Sequence, residues 1–237
     1  MCTVVIRVPE AEGPIRMLAV RDEDPTRGWV PLGENWPERP GVIGVRDARA
    51  GGAWLAADAA EGRLAVLLNR QSPEPPPGVT LVTRGAIPLD AVAGRPPQPT
   101  VATAGFNLVT VDAAGAVIVT WDGVDRTETR IPPGTHMIAH RDLDDTETER
   151  IIAWRGPFTA ASTEGSDDDW WMPWLDVLRE SGGLSPVDAR AIVRDNEPLG
   201  YPTQTTLLCV ASVAPGDLDV KYAQFTEPGH WNTVIPR

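Results

Sequence analysis

The chain has 237 residues, 42% hydrophobic and 23% charged, long enough for one large core and ordinary for a water-soluble globular protein. Its formal net charge of −12 disfavours nucleic-acid backbones and anionic membrane surfaces as partners, because both demand positive patches. No apolar run approaches the roughly 20 residues that span a bilayer, and no basic region followed by an apolar core and cleavage site opens the chain. A cytoplasmic protein with reduced thiols is therefore expected.

Met1-Cys2-Thr3 leads into a β-branched run, Thr3 to Val8, which reads as a strand. Removal of Met1 would leave Cys2 carrying a free α-amine, with an ordinary pKa of about 8, beside a thiol of about 8.5. Base and nucleophile would then share one residue. By position alone, a lone cysteine at a strand edge is more often a packing residue. After a turn at Pro9 to Pro14, Ile15 to Val20 reads as the partner strand, running into Arg21-Asp22-Glu23-Asp24 before Pro25. Such a hairpin brings Arg21 and Asp22 back towards Cys2.

Gly28 to Pro40 reads as loop, with Trp29 and Trp36 between prolines, and Arg46 to Gly52 as a polar, Gly-rich stretch. Gly51 to Asp58, a turn at Glu61-Gly62, and Arg63 to Leu68 ending at Asn69 form a second hairpin, apolar enough to be buried on both faces. Gln71 to Val79 and Arg95 to Thr100 are proline-rich loops around a weakly helical stretch, Thr83 to Ala93, interrupted by Pro88. Gly105 to Asp112 and Ala116 to Trp121 make a third hairpin. Thr127 to Ile131 and Thr135 to Ala139, around Pro132-Pro133-Gly134, suggest another strand–turn–strand.

The period then changes. Asp144-Asp145-Thr146 caps an expected helix from Glu147 to Trp154. Asp167 to Asp169 lead into a second, Trp170 to Glu180. Ser185-Pro186 predicts a short third one, Val187 to Arg194, with Ser at the N-cap and Pro at N1. Thr205 to Val213 and Leu218 to Phe225 are closing strands, and Cys209 within the first is expected in the core. With two cysteines and no CxxC pair, a structural zinc site is not expected. The layout is α+β, two stacked, largely antiparallel sheets with helices outside, as a single domain over 1–237.

Met1-Cys2-Thr3, Val20-Arg21-Asp22-Glu23, Gly51-Gly52-Ala53-Trp54 with Leu68-Asn69, Gly105-Phe106-Asn107-Leu108 and Pro133-Gly134-Thr135-His136 occur in an order and spacing that resembles the NRDE (transport and Golgi organisation protein 2-like) family. The resemblance covers residues 1 to about 210. It implies an N-terminal-nucleophile hydrolase type of fold, a four-layer αββα sandwich. Related cysteine enzymes of this fold, such as bile salt hydrolases and penicillin acylases, hydrolyse amides. Carried over, Cys2 is the nucleophile, Arg21 and Asp22 orient its amine and thiol, and Asn69 helps form the oxyanion hole. Trp54, Asn107, His136 and His140 are the expected substrate-binding residues of a small-molecule site without a metal. Two departures stand out: Val20 replaces the signature's leading Asn, and Met137-Ile138-Ala139-His140 replaces the usual Gly and Ser-Asn continuation.

Some members of the family resemble haem-trafficking proteins, which gives the alternative: a haem carrier with ligands among His136, His140, His230 and Cys2. A scaffold with a degenerate site is the third reading, and it expects no unusual thiol reactivity at Cys2.

Overall fold

The computed structural model describes residues 2–164 and 169–237. Met1, and Asp167 and Asp168 of the expected acidic lead-in, lie outside the described residues. The strands are β1 (Thr3–Val8), β2 (Ile15–Glu23), β3 (Trp29–Gly33), β4 (Val42–Asp47), β5 (Ala53–Asp58), β6 (Arg63–Asn69), β7 (Phe106–Asp112), β8 (Gly115–Trp121), β9 (Arg126–Arg130), β10 (Gly134–Ile138), β11 (Gln204–Ala214) and β12 (Asp217–Gln224). The helices among the described residues are α1 (Ala86–Val92), α2 (Glu149–Ala160) and α3 (Met172–Gly182). The strands form two sheets in which every neighbouring pair is antiparallel, five strands in the order β10-β1-β2-β11-β12 and seven in the order β3 to β9. The α+β sandwich read from the sequence is the fold.

Alternation along each strand sorts its side chains into separate cores. Val4, Ile6, Met17 and Ala19 of the five-stranded sheet share a cluster with Leu55, Ala57, Leu64, Val66 and Leu68 of the seven-stranded sheet. Val5, Leu18 and Val20, on the other face, pack with Ile151 and Phe158 of α2 and with Trp174 and Leu178 of α3. Ala56, Ala65 and Leu67 pack with Leu89 and Val92 of α1. The central strands are thus apolar on both faces, which explains their unbroken hydrophobic runs. No helix among the described residues is long and apolar enough to cross a membrane.

Three local expectations are corrected. Residues around Pro132-Pro133 do not turn a hairpin: β9 ends the seven-stranded sheet and β10 edges the five-stranded one. Two consecutive prolines supply no ladder donors. Ile131, buried between the sheets, anchors the crossing through its N–H to Ala116 O at 2.9 Å. Residues 187–194 form successive turns, not a helix. The amide of Ile192, which a helix would direct to Asp188 O, donates instead to Ser181 Oγ at 2.7 Å. The carbonyls of Asp188 and Ala189 accept from Arg194 Nη1 at 2.9 and 3.1 Å. Lastly, the stretch read as loop contains β3, and β4 runs into the first two residues of the polar, Gly-rich stretch. Pro31 is tolerated because β3 is an edge strand whose pairing is irregular between Val30 and Gly33.

Candidate active site

The β1–β2 register pairs Thr3 with Val20, so Cys2 falls beside Arg21 and Asp22 at one end of the sandwich. The Cys2 thiol points to Asp22 O at 3.8 Å. The sulfur side chain is only 7% exposed, and burial pushes its pKa above the ordinary thiol value. It nevertheless borders a cavity of about 160 Å³. Arg21, Asp22 and Glu23 from β2, Trp54 from β5, Asn69 from the end of β6, and Arg84 from the segment preceding α1 contribute to its wall.

Two irregularities in the ladders shape that wall. Val45 pairs with Leu55 and Arg46 with Ala53, so Trp54 is the extra residue of a bulge. The bulge turns the Trp54 side chain into the intersheet cluster that holds Cys2. A second shift, between Thr205 and Leu207, sits opposite Arg21 and Asp22. There Thr205 Oγ1 donates to Asp22 Oδ1 at 2.6 Å and accepts the Arg194 amide at 2.8 Å. Behind Asp22 lies the guanidinium of Arg150, fully buried and bonded to Thr3 Oγ1 at 3.1 Å. Burial lowers the Arg150 pKa to about 10, although the Asp22 charge opposes the shift.

Arg21 donates through Nη2 to Glu23 Oε2 at 3.0 Å, and its guanidinium carbon lies 5.9 Å from the Trp54 ring centroid. Arg21 Nη1 and Trp54 Nε1 are buried without a hydrogen-bond partner among the described residues. A buried donor left unpaired costs about 1–3 kcal/mol, so two on one cavity wall call for an explanation. Arg27 is neutralised by Asp47, Nε to Oδ2 at 2.6 Å. Asn69 is exposed, and its carboxamide makes no hydrogen bond among the described residues.

Cys2, Arg21, Asp22, Asn69 and Trp54 thus share one cavity, while Asn107, His136 and His140 do not line it. Asn107 is fully buried. Its Nδ2 donates to Ala139 O at 3.2 Å and Arg141 O at 2.7 Å, and its Oδ1 accepts from Thr120 Oγ1 at 3.0 Å. This clamps the chain leaving β10 onto the seven-stranded sheet. His136 uses both ring nitrogens, Nδ1 with Asp144 Oδ2 at 2.7 Å and Nε2 with Pro132 O at 3.0 Å. His140 is half-buried, and its pKa is lowered to about 4 by burial and by the charges of Arg150 and Arg141. His230 is exposed beside Glu227. His136, His140 and His230 therefore do not share the cavity that Cys2 borders. Cys209 lies in the intersheet core, where burial pushes its thiol far up.

Sequence reasoning misses Arg84, Thr205 and Arg150. Arg84 falls in a weakly helical stretch, Thr205 in a strand and Arg150 in a helix, and no local motif marks any of them. No family model matches the chain, and no curated protein matches it.

Proposed function

We propose that the cavity beside Cys2 is the active site of a cysteine N-terminal-nucleophile amidohydrolase acting on a small carboxamide. The observation that carries this reading is the single cavity shared by the Cys2 sulfur, the Arg21–Asp22 pair and the uncommitted Asn69 carboxamide. The NRDE-like order of motifs supports the same assignment.

In a chain trimmed to Cys2, the α-amine takes the thiol proton as Sγ attacks the substrate carbonyl. Asn69 Nδ2 donates to the developing oxyanion, a role worth about 2.7–4 kcal/mol of barrier where it has been measured in other enzymes. The ammonium then hands its proton to the leaving amine, the C–N bond breaks and a thioester remains. Water, deprotonated by the same amine, attacks the thioester and releases acid and thiol. Asp22, fixed by Thr205, lies beside Cys2, where its charge would favour the ammonium form. Arg21, held by Glu23, sets the position of the strand end across from the sulfur. Two free cysteines accord with a reducing, cytoplasmic setting.

The test is intact-mass analysis of the purified chain together with a carboxamide hydrolysis screen of the native protein and Cys2→Ala. The expected result is a chain that begins at Cys2, forms an acyl adduct there, and loses all turnover in the variant. An undamaged preparation that retains Met1 and forms no adduct ends the reading in favour of a scaffold.

A further inference from the structure

We propose that Arg84 is the specificity residue of this cavity and selects ligands that carry one carboxylate close to a carboxamide. The inference rests on the hydrolase reading only for which bond is cut, not for binding.

Three arginines (Arg21, Arg27, Arg84) and three acids (Asp22, Glu23, Asp47) line the cavity. Arg21 is paired with Glu23 and Arg27 with Asp47. Asp22 is bonded to Thr205 and lies within electrostatic reach of Arg150 and Arg194. Arg84 alone among the three lining arginines has no carboxylate partner among the described residues. Its Nη1 donates to Gly105 O at 2.5 Å. That bond leaves Nε and Nη2, the two parallel donors of the guanidinium edge, without a protein acceptor among the described residues. Burial lowers its pKa, the sign of a cation stripped of water without full compensation.

A planar carboxylate fits that edge through two parallel N–H···O bonds. The two unpartnered donors, Arg21 Nη1 and Trp54 Nε1, belong to residues of the same cavity but are themselves buried beneath its surface. One guanidinium without an ion-pair partner suits one negative charge, and the acids of the wall, Glu23 among them, oppose a dianion. The volume of about 160 Å³ falls below the roughly 300–1,000 Å³ of drug-sized sites, so the ligand is small.

The position of Arg84 is built into the backbone. Ala53 N donates to Gly85 O at 2.8 Å, and the Cα atoms of Gly52 and Gly85 are so close that a Cβ on Gly52 would lie 2.3 Å from Gly85 Cα. This contact lays the segment carrying Arg84 against the start of β5, next to Trp54.

The carboxylate can sit on the acyl side or the amine side of the amide, and two probe pairs separate these sources. Succinamate and its neutral diamide test the first, and N-acetylglycine and its primary amide test the second. Affinities are measured by ligand-observed NMR titration of the native chain, Arg84→Gln and Arg84→Lys, with thermal melts to establish that each variant is folded. At least one anion is expected to bind about tenfold tighter than its neutral partner. Arg84→Gln should erase that preference and Arg84→Lys should keep part of it. Equal binding of anion and neutral amide, no binding of either anion, or a preference that survives in folded Arg84→Gln would overturn the proposal. Anion binding without any amide turnover leaves this inference standing and removes the hydrolase reading. Turnover of neutral amides without an anion preference does the reverse.

Discussion

Gly52→Ala is the most informative single perturbation, because it strikes the seam between β5 and the Arg84 segment without touching a polar side chain. Gly52 is not among the glycines with positive φ, so alanine meets no backbone strain there. Its new Cβ would lie 2.3, 2.5 and 2.7 Å from Cα, C and O of Gly85, against ordinary contact from 3.4 Å. All three are backbone atoms, and no rotamer change relieves them. The segments must part by about 1.1 Å, the difference between that contact and the shortest of these distances. A displacement of that size breaks the bond from Ala53 N to Gly85 O, now 2.8 Å. Overpacking costs about 1–3 kcal/mol and the lost bond about 0.5–1.5 kcal/mol, or roughly 1.5–4.5 kcal/mol together. For a chain of this length that lowers the melting temperature by about 3–18 °C. The assay is a thermal melt of Gly52→Ala beside Gly156→Ala. Gly156 lies inside α2 with nothing within 4 Å of its Cβ position. Alanine there should stabilise by up to about 1 kcal/mol. If Gly52→Ala melted within a degree of the native chain, the tight seam, and the reason given for where Arg84 stands, would be refuted.

Thr205→Val keeps shape but removes the donor to Asp22 and the acceptor for the Arg194 amide. Both groups are buried, so a loss of about 2–4 kcal/mol is expected in denaturant titration, and a value near zero would mean that Asp22 does not depend on Thr205. Trp54→Phe should recover about 1–3 kcal/mol relative to the packing loss alone, because it removes a buried donor that has no partner among the described residues. A loss of several kcal/mol would show that the indole N–H is engaged. His140 is held neutral when folded, with its pKa lowered from 6.5 to about 4. Between those values the unfolded chain binds a proton that the folded chain refuses, so this contribution is complete above pH 6.5 and is lost as pH falls towards 4. The drop corresponds to no more than about 3 kcal/mol, and solvent screening at a half-buried ring brings the expectation to about 1–2 kcal/mol. His140→Gln should flatten this acid limb in melts across that range, and an unchanged slope would assign it to carboxylates.

The parts of the fold legible in the sequence are those decided by neighbours in the chain. The first hairpin follows from a β-branched run, a Pro/Gly turn and a second, largely apolar run, and with it the approach of Arg21 and Asp22 to Cys2. The hairpin at Glu61-Gly62 follows from turn chemistry and carries Trp54 and Asn69 to the same end. What was not legible depends on distant partners. The Ser185-Pro186 start signal is overruled because Ser181 and Arg194 take the groups a helix would need. The passage from β9 to β10 changes sheets because Ile131 is buried between them. Arg84 enters the site through a glycine-to-glycine contact between residues 52 and 85, and nothing in the intervening chain announces it. Asn107 and His136 carry the family-like motifs, yet their hydrogen bonds go to the backbone that leaves β10 and to Asp144, outside the cavity.

On the proposed reading, the burial of Cys2 sets what its chemistry requires. A thiol pushed above its ordinary pKa stays protonated near neutrality, and the thiolate it yields is the stronger nucleophile for that basicity. It therefore needs a base at hand when it attacks. The carboxylates on the cavity wall are committed: Asp22 to Thr205, Glu23 to Arg21 and the Asp24 amide, Asp47 to Arg27. His136, His140 and His230 line no part of this cavity. In the proposed mechanism the base is the α-amine of Cys2 itself, which adjoins the thiol and exists only after Met1 has gone. On the proposed reading, excision of one residue thus turns an inert buried thiol into a nucleophile. Adding a residue before Cys2 should silence the site as fully as Cys2→Ala while leaving the melting temperature unchanged.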